Sequence, residues 1–334
     1  MRSTALLSIV SCLIIVAFAI DAVAQTDTRR ARAAQMDNAR TGISTMQARG
    51  AAPAEMARNA PRIINGDPVS QKDRDWAWAV SLQRDGRHIC GGSLVSPNIR
   101  NGVLIGWRDD HKEATWAVTA AHCVTDNAGQ AEAATRFLAT SGNVSLISPD
   151  RVAQKVVTIA VHEDYDPVTF RNDIALLKLE SVDSIPDGAR RTSIPLADPL
   201  DRIWLYQDYA AMTVAGWGRT EDSFMSEILE RVLVPYVDRS TCQEAYDDYG
   251  ASIEPGMFCA GYSTGGYDSC QGDSGGSVFF RPARAFGDPA DRPLLAGVVS
   301  WGIGCALNGL YGVYTNGLAF RTWLERTVLK AEQG

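Results

Sequence analysis

From Ile63 onward the chain alternates short apolar, β-branched runs with clusters of Gly, Pro, Asn and Asp. The runs are Trp76–Gln83, His88–Val95, Trp116–Ala121, Val152–His162, Ile174–Glu180, Met212–Trp217, Leu229–Val237, Ser277–Arg281 and Leu294–Trp301. Each has strand length and is bounded by turn formers, so each predicts a β-strand. Many short strands without helical periods between them predict a sandwich or barrel rather than βαβ units. One helix is expected, at the C-terminus. Phe320, Trp323, Leu324, Thr327 and Val328 follow an i, i+3, i+4, i+7, i+8 stripe that would dock on the body. No internal repeat or low-complexity tract interrupts the pattern.

Before Ile63 the texture changes. Arg2 precedes an apolar run, Ala5–Ile20, and Ala22-Val23-Ala24 then forms a small-x-small cleavage signature. The run is shorter than the roughly 20 residues a membrane span requires, and no later stretch resembles one. Residues 1–24 therefore read as a secretory signal peptide, and Cys12, inside the run, is poorly placed for lipid attachment. Residues 25–62 carry seven arginines against Asp27, Asp37 and Glu55, a net +4, and have no sustained apolar period. The whole chain of 334 residues is −7 and the signal is neutral, so residues 63–334 carry −11. A basic, removable lead-in to an acidic domain reads as a pro-segment. A basic arm for nucleic acid or lipid is the alternative.

With 46% hydrophobic and 21% charged residues, the chain can bury a full core and is not disordered by composition. Removing the signal leaves six of seven cysteines, and an even count in an oxidising compartment favours disulfides over metal. No pair shows Cys-x-x-Cys spacing and the four histidines are scattered, so neither a metal cluster nor a cofactor is expected. Six cysteines allow about fifteen pairings, and counting alone does not choose among them.

The chemistry concentrates in Asp268–Gly276, Asp-Ser-Cys-Gln-Gly-Asp-Ser-Gly-Gly. A nucleophilic serine needs an exposed Oγ and backbone N–H groups aimed at a developing anion, and glycines permit the turn that supplies both. Glycine-rich loops also bind phosphate, so the companions of Ser274 decide. His122, in Trp-Ala-Val-Thr-Ala-Ala-His-Cys, ends an apolar strand and is better fixed than His88, His111 or His162. Asp173 leads into Ile-Ala-Leu-Leu-Lys-Leu, a run that must be buried, and an acid there requires a partner.

Together these stretches resemble the trypsin/chymotrypsin-like serine proteases, from Ile63 to the C-terminal helix. The resemblance implies an all-β fold of two packed antiparallel six-stranded β-barrels with a C-terminal α-helix, as a domain over 63–334. It implies a triad of Ser274 as nucleophile, His122 as base and Asp173 as the carboxylate orienting it. The N–H groups of Gly272 and Ser274 would form the oxyanion hole. Asp268 would floor a slot walled by Ser269, Ser300, Trp301, Gly302 and Gly312, and a carboxylate there selects Arg or Lys. The bridges implied are Cys90–Cys123, Cys242–Cys259 and Cys270–Cys305. Cleavage after Arg62 would free an ammonium on Ile63 that inserts beside Asp273. The expected product is a secreted (extracellular or periplasmic) monomeric endopeptidase acting on proteins or peptides with Arg or Lys at the cut. Protein inhibitors are further partners, with no nucleic acid and no membrane span.

The chain departs from the family pattern in places. Cys90 and Cys123 are 33 residues apart, and the extra material, roughly Ser96–Thr115 with Trp107 and His111, reads as a lengthened surface hairpin. A second extension is Pro282–Arg292. Met212 and Phe280 stand where many relatives carry a further disulfide, which an apolar contact would replace. Tyr311 precedes Gly312, and in relatives an aromatic there accompanies a sodium site. No acidic pair follows Cys123 to suggest calcium. Asn143-Val144-Ser145 is a glycosylation sequon if the source is eukaryotic.

Overall fold

The computed structural model describes residues 66–70, 76–108, 114–182, 185, 191–207, 210–219, 225–282 and 292–333. The chain divides between Ala60 and Pro61, and every described residue belongs to the unit Pro61–Gly334. The expected signal peptide and pro-segment, Arg62, Ile63, His111 and most of Pro282–Arg292 lie outside the described residues.

β1 (Asp67–Pro68) belongs to the second sheet. The first is built from β2 (Ala79–Arg84), β3 (Arg87–Arg100), β4 (Val103–Arg108), β5 (Trp116–Thr119), β6 (Phe137–Ser141), β7 (Val152–Val161) and β8 (Ala175–Leu179). It runs β2-β6-β7-β8-β5-β3 and closes when β3 pairs back onto β2, with β4 appended outside β3. The second is built from β9 (Ala211–Gly216), β10 (Glu230–Val237), β11 (Met257–Ala260), β12 (Ser277–Phe280), β13 (Leu294–Trp301) and β14 (Gly312–Asn316). It runs β10-β11-β14-β13-β12-β9 and closes through β9–β10, with β1 appended. Each sheet is thus a closed six-stranded antiparallel barrel, an arrangement that leaves no free edge in the ring.

The period-2 pattern is visible where a strand has one wet face. In β7, Val152, Gln154 and Val156 are buried while Ala153, Lys155 and Val157 are exposed. β8 is buried at four of five positions and accordingly reads as a nearly continuous apolar run. β6, β11 and β14 escaped the sequence pattern. They have four or five residues and contain Ala, Ser, Thr or Gly, so cross-strand pairing rather than propensity decides their state.

β3 does not stop at Val95. It runs on to Arg100 and turns through Asn101 and Gly102, at φ 52° and 74°. Arg100 pairs with Val103 across this two-residue turn, the type I′ geometry that Asn-Gly favours. The extra material is therefore a hairpin extension of the barrel wall, with Trp107 packed partly buried on the core.

Among the described residues there are three α-helices: α1 (Arg202–Leu205), α2 (Arg239–Asp247) and α3 (Arg321–Gln333). α2 was not foreseen, although its cap is legible afterwards: Asp238 accepts from the Thr241 N–H at 3.0 Å, and Cys242 and Tyr246 form its buried face. α3 matches the predicted stripe. Trp323, Leu324 and Val328 are buried, Phe320 is buried just before it, and the Trp323 indole donates to Glu163 at 2.6 Å. Met212 and Phe280 are both buried in one apolar cluster of the second barrel.

The barrels meet through aromatic and glycine contacts. The Trp76 and Trp78 rings each stand edge-on to Phe279 at 5.2 Å. The buried hydroxyls of Ser93 on β3 and Ser277 on β12 are 2.6 Å apart. A methyl group at Gly91 would lie 2.6 Å from the Gly276 Cα, so only glycine permits this approach.

Candidate active site

Asp173 precedes β8 and is almost wholly enclosed, at 1% exposure. Three donors converge on it: the His122 backbone N–H on Oδ1 at 2.9 Å, the His122 ring Nδ1 on Oδ2 at 2.8 Å, and the Ser300 hydroxyl on Oδ2 at 2.6 Å. Burial alone would push this carboxyl up, but the His122 ring and these donors hold it below the usual carboxylate range. For His122, burial opposes the charged ring, yet the adjacent carboxylate prevails and raises its pKa above the ordinary 6.5. With Nδ1–H donated to Asp173, the neutral ring presents Nε2 as an acceptor.

His122 sits in a 3-10 turn, Ala121–Cys123, at the end of the β5 segment. Cys123 is bonded to Cys90 on β3, so the bridge ties the turn to the barrel wall. A His122 ring nitrogen lies within 4.8 Å of these sulfurs. On the other barrel, a methyl at Gly275 would come 3.2 Å from the Cys123 Sγ and 2.2 Å from the Thr119 Oγ1. His122 and the Ser274 loop therefore both lie close to this one disulfide. No hydrogen bond joins the His122 ring to the Ser274 hydroxyl in this structure; such contacts often tighten only when substrate is bound.

The Ser274 loop is held almost entirely by backbone. Gly91 N–H donates to the Ser274 carbonyl at 2.7 Å, Gly275 N–H to Val299 at 2.8 Å, and Gly276 N–H to Asp273 at 2.7 Å. Gly272 and Gly275 have φ of 91° and 76°, a conformation that side-chain-bearing residues adopt only with strain. Because the Gly91 amide and the Gly91–Gly276 contact position Ser274, Gly91→Ala is expected to displace the loop. A shift of about 1 Å at reacting groups costs about 10²-fold in rate. Measuring kcat/KM alongside circular dichroism would separate this from unfolding.

Two further carboxylates are sealed beneath the loop. Asp273 accepts from the Gly218 and Cys270 N–H groups, each at 2.8 Å, and burial pushes it up to about 7. Asp268 accepts from the Ser269 N–H at 2.8 Å and the Ala306 N–H at 2.9 Å, and burial pushes it to about 7 as well. The Cys270–Cys305 bridge joins the segments on either side of Asp268. Gly312 is where a methyl would lie 2.8 Å from the Asp268 Oδ1. Ser269 is within 3.3 Å of the buried Tyr314 hydroxyl. Trp301 is half-buried, stands edge-on to Tyr246 at 5.1 Å, and leads to the exposed Gly302. The hydroxyl of Ser300, on the stretch expected to wall the slot, is committed to Asp173. The third bridge joins Cys242 on α2 to Cys259 on β11.

A family model described as Trypsin matches residues 111–324, well over half of the chain. The chain belongs to the trypsin family of serine proteases. Among similar proteins, it is 34% identical over 264 residues to transmembrane protease serine 11E of Mus musculus, covering 79% of this chain and 54% of that protein. It is 31% identical over 273 residues to the suppressor of tumorigenicity 14 protein homolog of Bos taurus, covering 80% of this chain and 28% of that one. The chain thus spans about half or less of these relatives' lengths.

The first relative is by name a transmembrane protease, and this corrects the expectation that a protein of this kind has no membrane span among its partners. That expectation rested on run length, and Ala5–Ile20, at 16 residues, falls only just below the shortest spans of about 17. The run lies outside the described residues, within which no helix is long and apolar enough to cross a membrane.

Two residues of this trypsin-family site went unread in the sequence. His88, taken as loosely placed, is half-buried and held at both ring nitrogens: its Nδ1 is 2.7 Å from the Ser81 hydroxyl and its Nε2 is 3.1 Å from the Gly272 carbonyl. A carbonyl only accepts, so Nε2 carries the proton and the Ser81 hydroxyl donates to Nδ1. Burial lowers the pKa of this ring. Phe170, at φ 56°, stands edge-to-face to His122 at 5.5 Å and 84°. The sequon Asn143 is occupied locally, its side chain accepting from the Ser145 N–H at 2.9 Å.

Proposed function

We propose that the chain is the precursor of an exported endopeptidase that hydrolyses peptide bonds after Arg or Lys. The observation that carries this reading is the Asp173–His122 pair, in which an enclosed carboxylate grips both the backbone and the ring of one histidine. In this reading the Ser274 Oγ bonds to the scissile carbonyl carbon while its proton passes to His122 Nε2. The oxyanion is met by the N–H groups of Gly272 and Ser274. His122 then gives the proton to the departing amine, leaving an acyl-enzyme that water, deprotonated by the same ring, hydrolyses. Labelling with a serine-directed phosphonate tests it: label should appear on Ser274 after trypsin treatment. A properly cut chain that resists labelling would overturn it.

Arg/Lys selectivity is assigned to Asp268, whose buried carboxylate awaits a cation to offset its burial. Asp268→Ser should lower kcat/KM for Arg and Lys substrates by about 10²–10³-fold, the cost of leaving a buried cation unpaired. Labelling of Ser274 should be unaffected. Parallel assays with Arg, Lys and Phe peptides measure this, and an unchanged preference would show that another group reads the substrate.

Residues 1–24 act in this reading as a signal, 25–62 as a pro-segment and 63–334 as the peptidase domain. The three disulfides favour an oxidising, extracytosolic compartment. Secretion rests on removal of the signal, and sequencing the mature N-terminus tests it. Cleavage after Arg62 would deliver the Ile63 ammonium to Asp273. Between pH 3.8 and about 7 the unfolded chain ionises Asp268 and Asp273 while the folded chain resists, so their burial costs stability over that window and fully above it. An ammonium at Asp273 removes part of that cost. The processed protein with a free Ile63 amine should therefore melt higher than its acetylated form at pH about 8, and the gap should close toward pH about 4. Pairing also raises the amine pKa above its free value of about 7.7–8, so activity fades as pH climbs through that raised value. Equal melting of the two forms at about pH 8 would remove Asp273 from this role.

A further inference from the structure

We propose that α1 and the start of α2 form a docking site for an acidic peptide segment of a partner protein, separate from the site of Ser274. A cleft of about 560 Å³ opens there, lined by Pro199, Arg202, Tyr206, Tyr236 and Arg239 among others, and by none of the residues assigned to catalysis. Its charge is out of keeping with the rest of the molecule. Residues 63–334 are strongly acidic, yet two guanidinium groups line this cleft and neither has a carboxylate partner among the described residues. Arg202 lies over the Tyr206 ring at 5.9 Å, and Arg239 is steadied by donating Nε–H to the Ile253 carbonyl at 2.7 Å.

The acids nearest in sequence are spent on local caps. Asp198 accepts from the Leu200 N–H at 2.8 Å, Asp201 from the Asp198 N–H at 2.9 Å, and Asp238 from the Thr241 N–H at 3.0 Å. The cations are therefore left to an outside anion, and guanidinium is the group best suited to hold a carboxylate by two bonds. The exposed side chains next to these in sequence add a second requirement. Pro199, Arg202 and Tyr206 turn to the cleft, while Leu200, Ile203 and Trp204 beside them are 80%, 62% and 41% exposed. Three large apolar side chains exposed on one turn mark an interaction surface. Carboxylates for the arginines and apolar side chains for this exposed turn are both supplied by a peptide alternating acidic and apolar residues. The concave, tyrosine-walled shape suits such a segment better than a flat lipid surface.

The test uses a fluorescein-labelled decapeptide alternating Glu with Leu and Phe, which lacks Arg and Lys and so escapes cleavage. Anisotropy with the processed protein should show saturable binding that weakens as salt rises and screens the charges. Arg202→Glu with Arg239→Glu should weaken it by at least about tenfold, and Trp204→Ala should weaken it without altering the salt dependence. Cleavage of a small Arg reporter should be unchanged in both variants, showing that they are folded. Three results would overturn the proposal: no saturation by about 1 mM, undiminished binding by the double variant, or phosphatidylserine vesicles binding this face where the peptide does not.

Discussion

Ser274→Ala is expected to lower kcat about 10⁶-fold, the loss typical of removing a nucleophile that works as a unit with its base. The fold should not notice. The Ser274 backbone carbonyl, not its side chain, is the group that Gly91 holds. Unchanged melting with abolished turnover would therefore separate a chemical from a structural role. On the proposed assignment, residual hydrolysis above the uncatalysed rate should remain, because the substitution keeps the Gly272 and Ser274 N–H groups. A variant retaining even about a hundredth of the activity would show that the acyl-enzyme assignment is wrong.

Asp173→Asn is expected to lower kcat about 10⁴-fold. Three donors meet this carboxylate, and an amide cannot accept all of them. If its oxygen keeps the His122 backbone N–H, its NH₂ faces Nδ1, which must then become an acceptor. The ring proton moves to Nε2, the atom that should receive the proton of Ser274. If the amide turns over, its NH₂ confronts the buried His122 N–H instead, leaving unsatisfied donors in a dry site. The pH profile distinguishes this from misfolding. In the native protein the carboxylate raises the His122 pKa, so activity should fall on acidification at a pH above the ordinary 6.5. Removing the negative charge should move that limb to lower pH. A variant whose limb stays in place would mean that Asp173 does not set the base.

The hydroxyl of Ser300 illustrates how far reading along the chain could go. Its position beside Trp301-Gly302 suggested a wall of the substrate slot, and nothing local announced that it would bond to a carboxylate 127 residues away. His88 was underread in a similar way: one partner, Ser81, lies across the β2–β3 hairpin, and the other, the Gly272 carbonyl, comes from the second barrel 184 residues along the chain. α2 hid because its buried face is Cys242 and Tyr246 rather than an aliphatic stripe.

Strand periodicity, the Asn-Gly turn, the stripe of α3 and the residue types around Ser274, His122 and Asp173 are local properties, set by sterics and side-chain chemistry within a few residues. Those the sequence determined by itself. Closure of two six-membered rings, the Gly91–Gly276 approach and the shared Cys90–Cys123 bridge were decided by tertiary structure. The reason is that burial and hydrogen-bond satisfaction are settled by groups distant in the chain. That same burial raises Asp268 and Asp273 together to about 7 and holds Asp173 low, so three aspartates of one type acquire different chemistry from where the barrels place them.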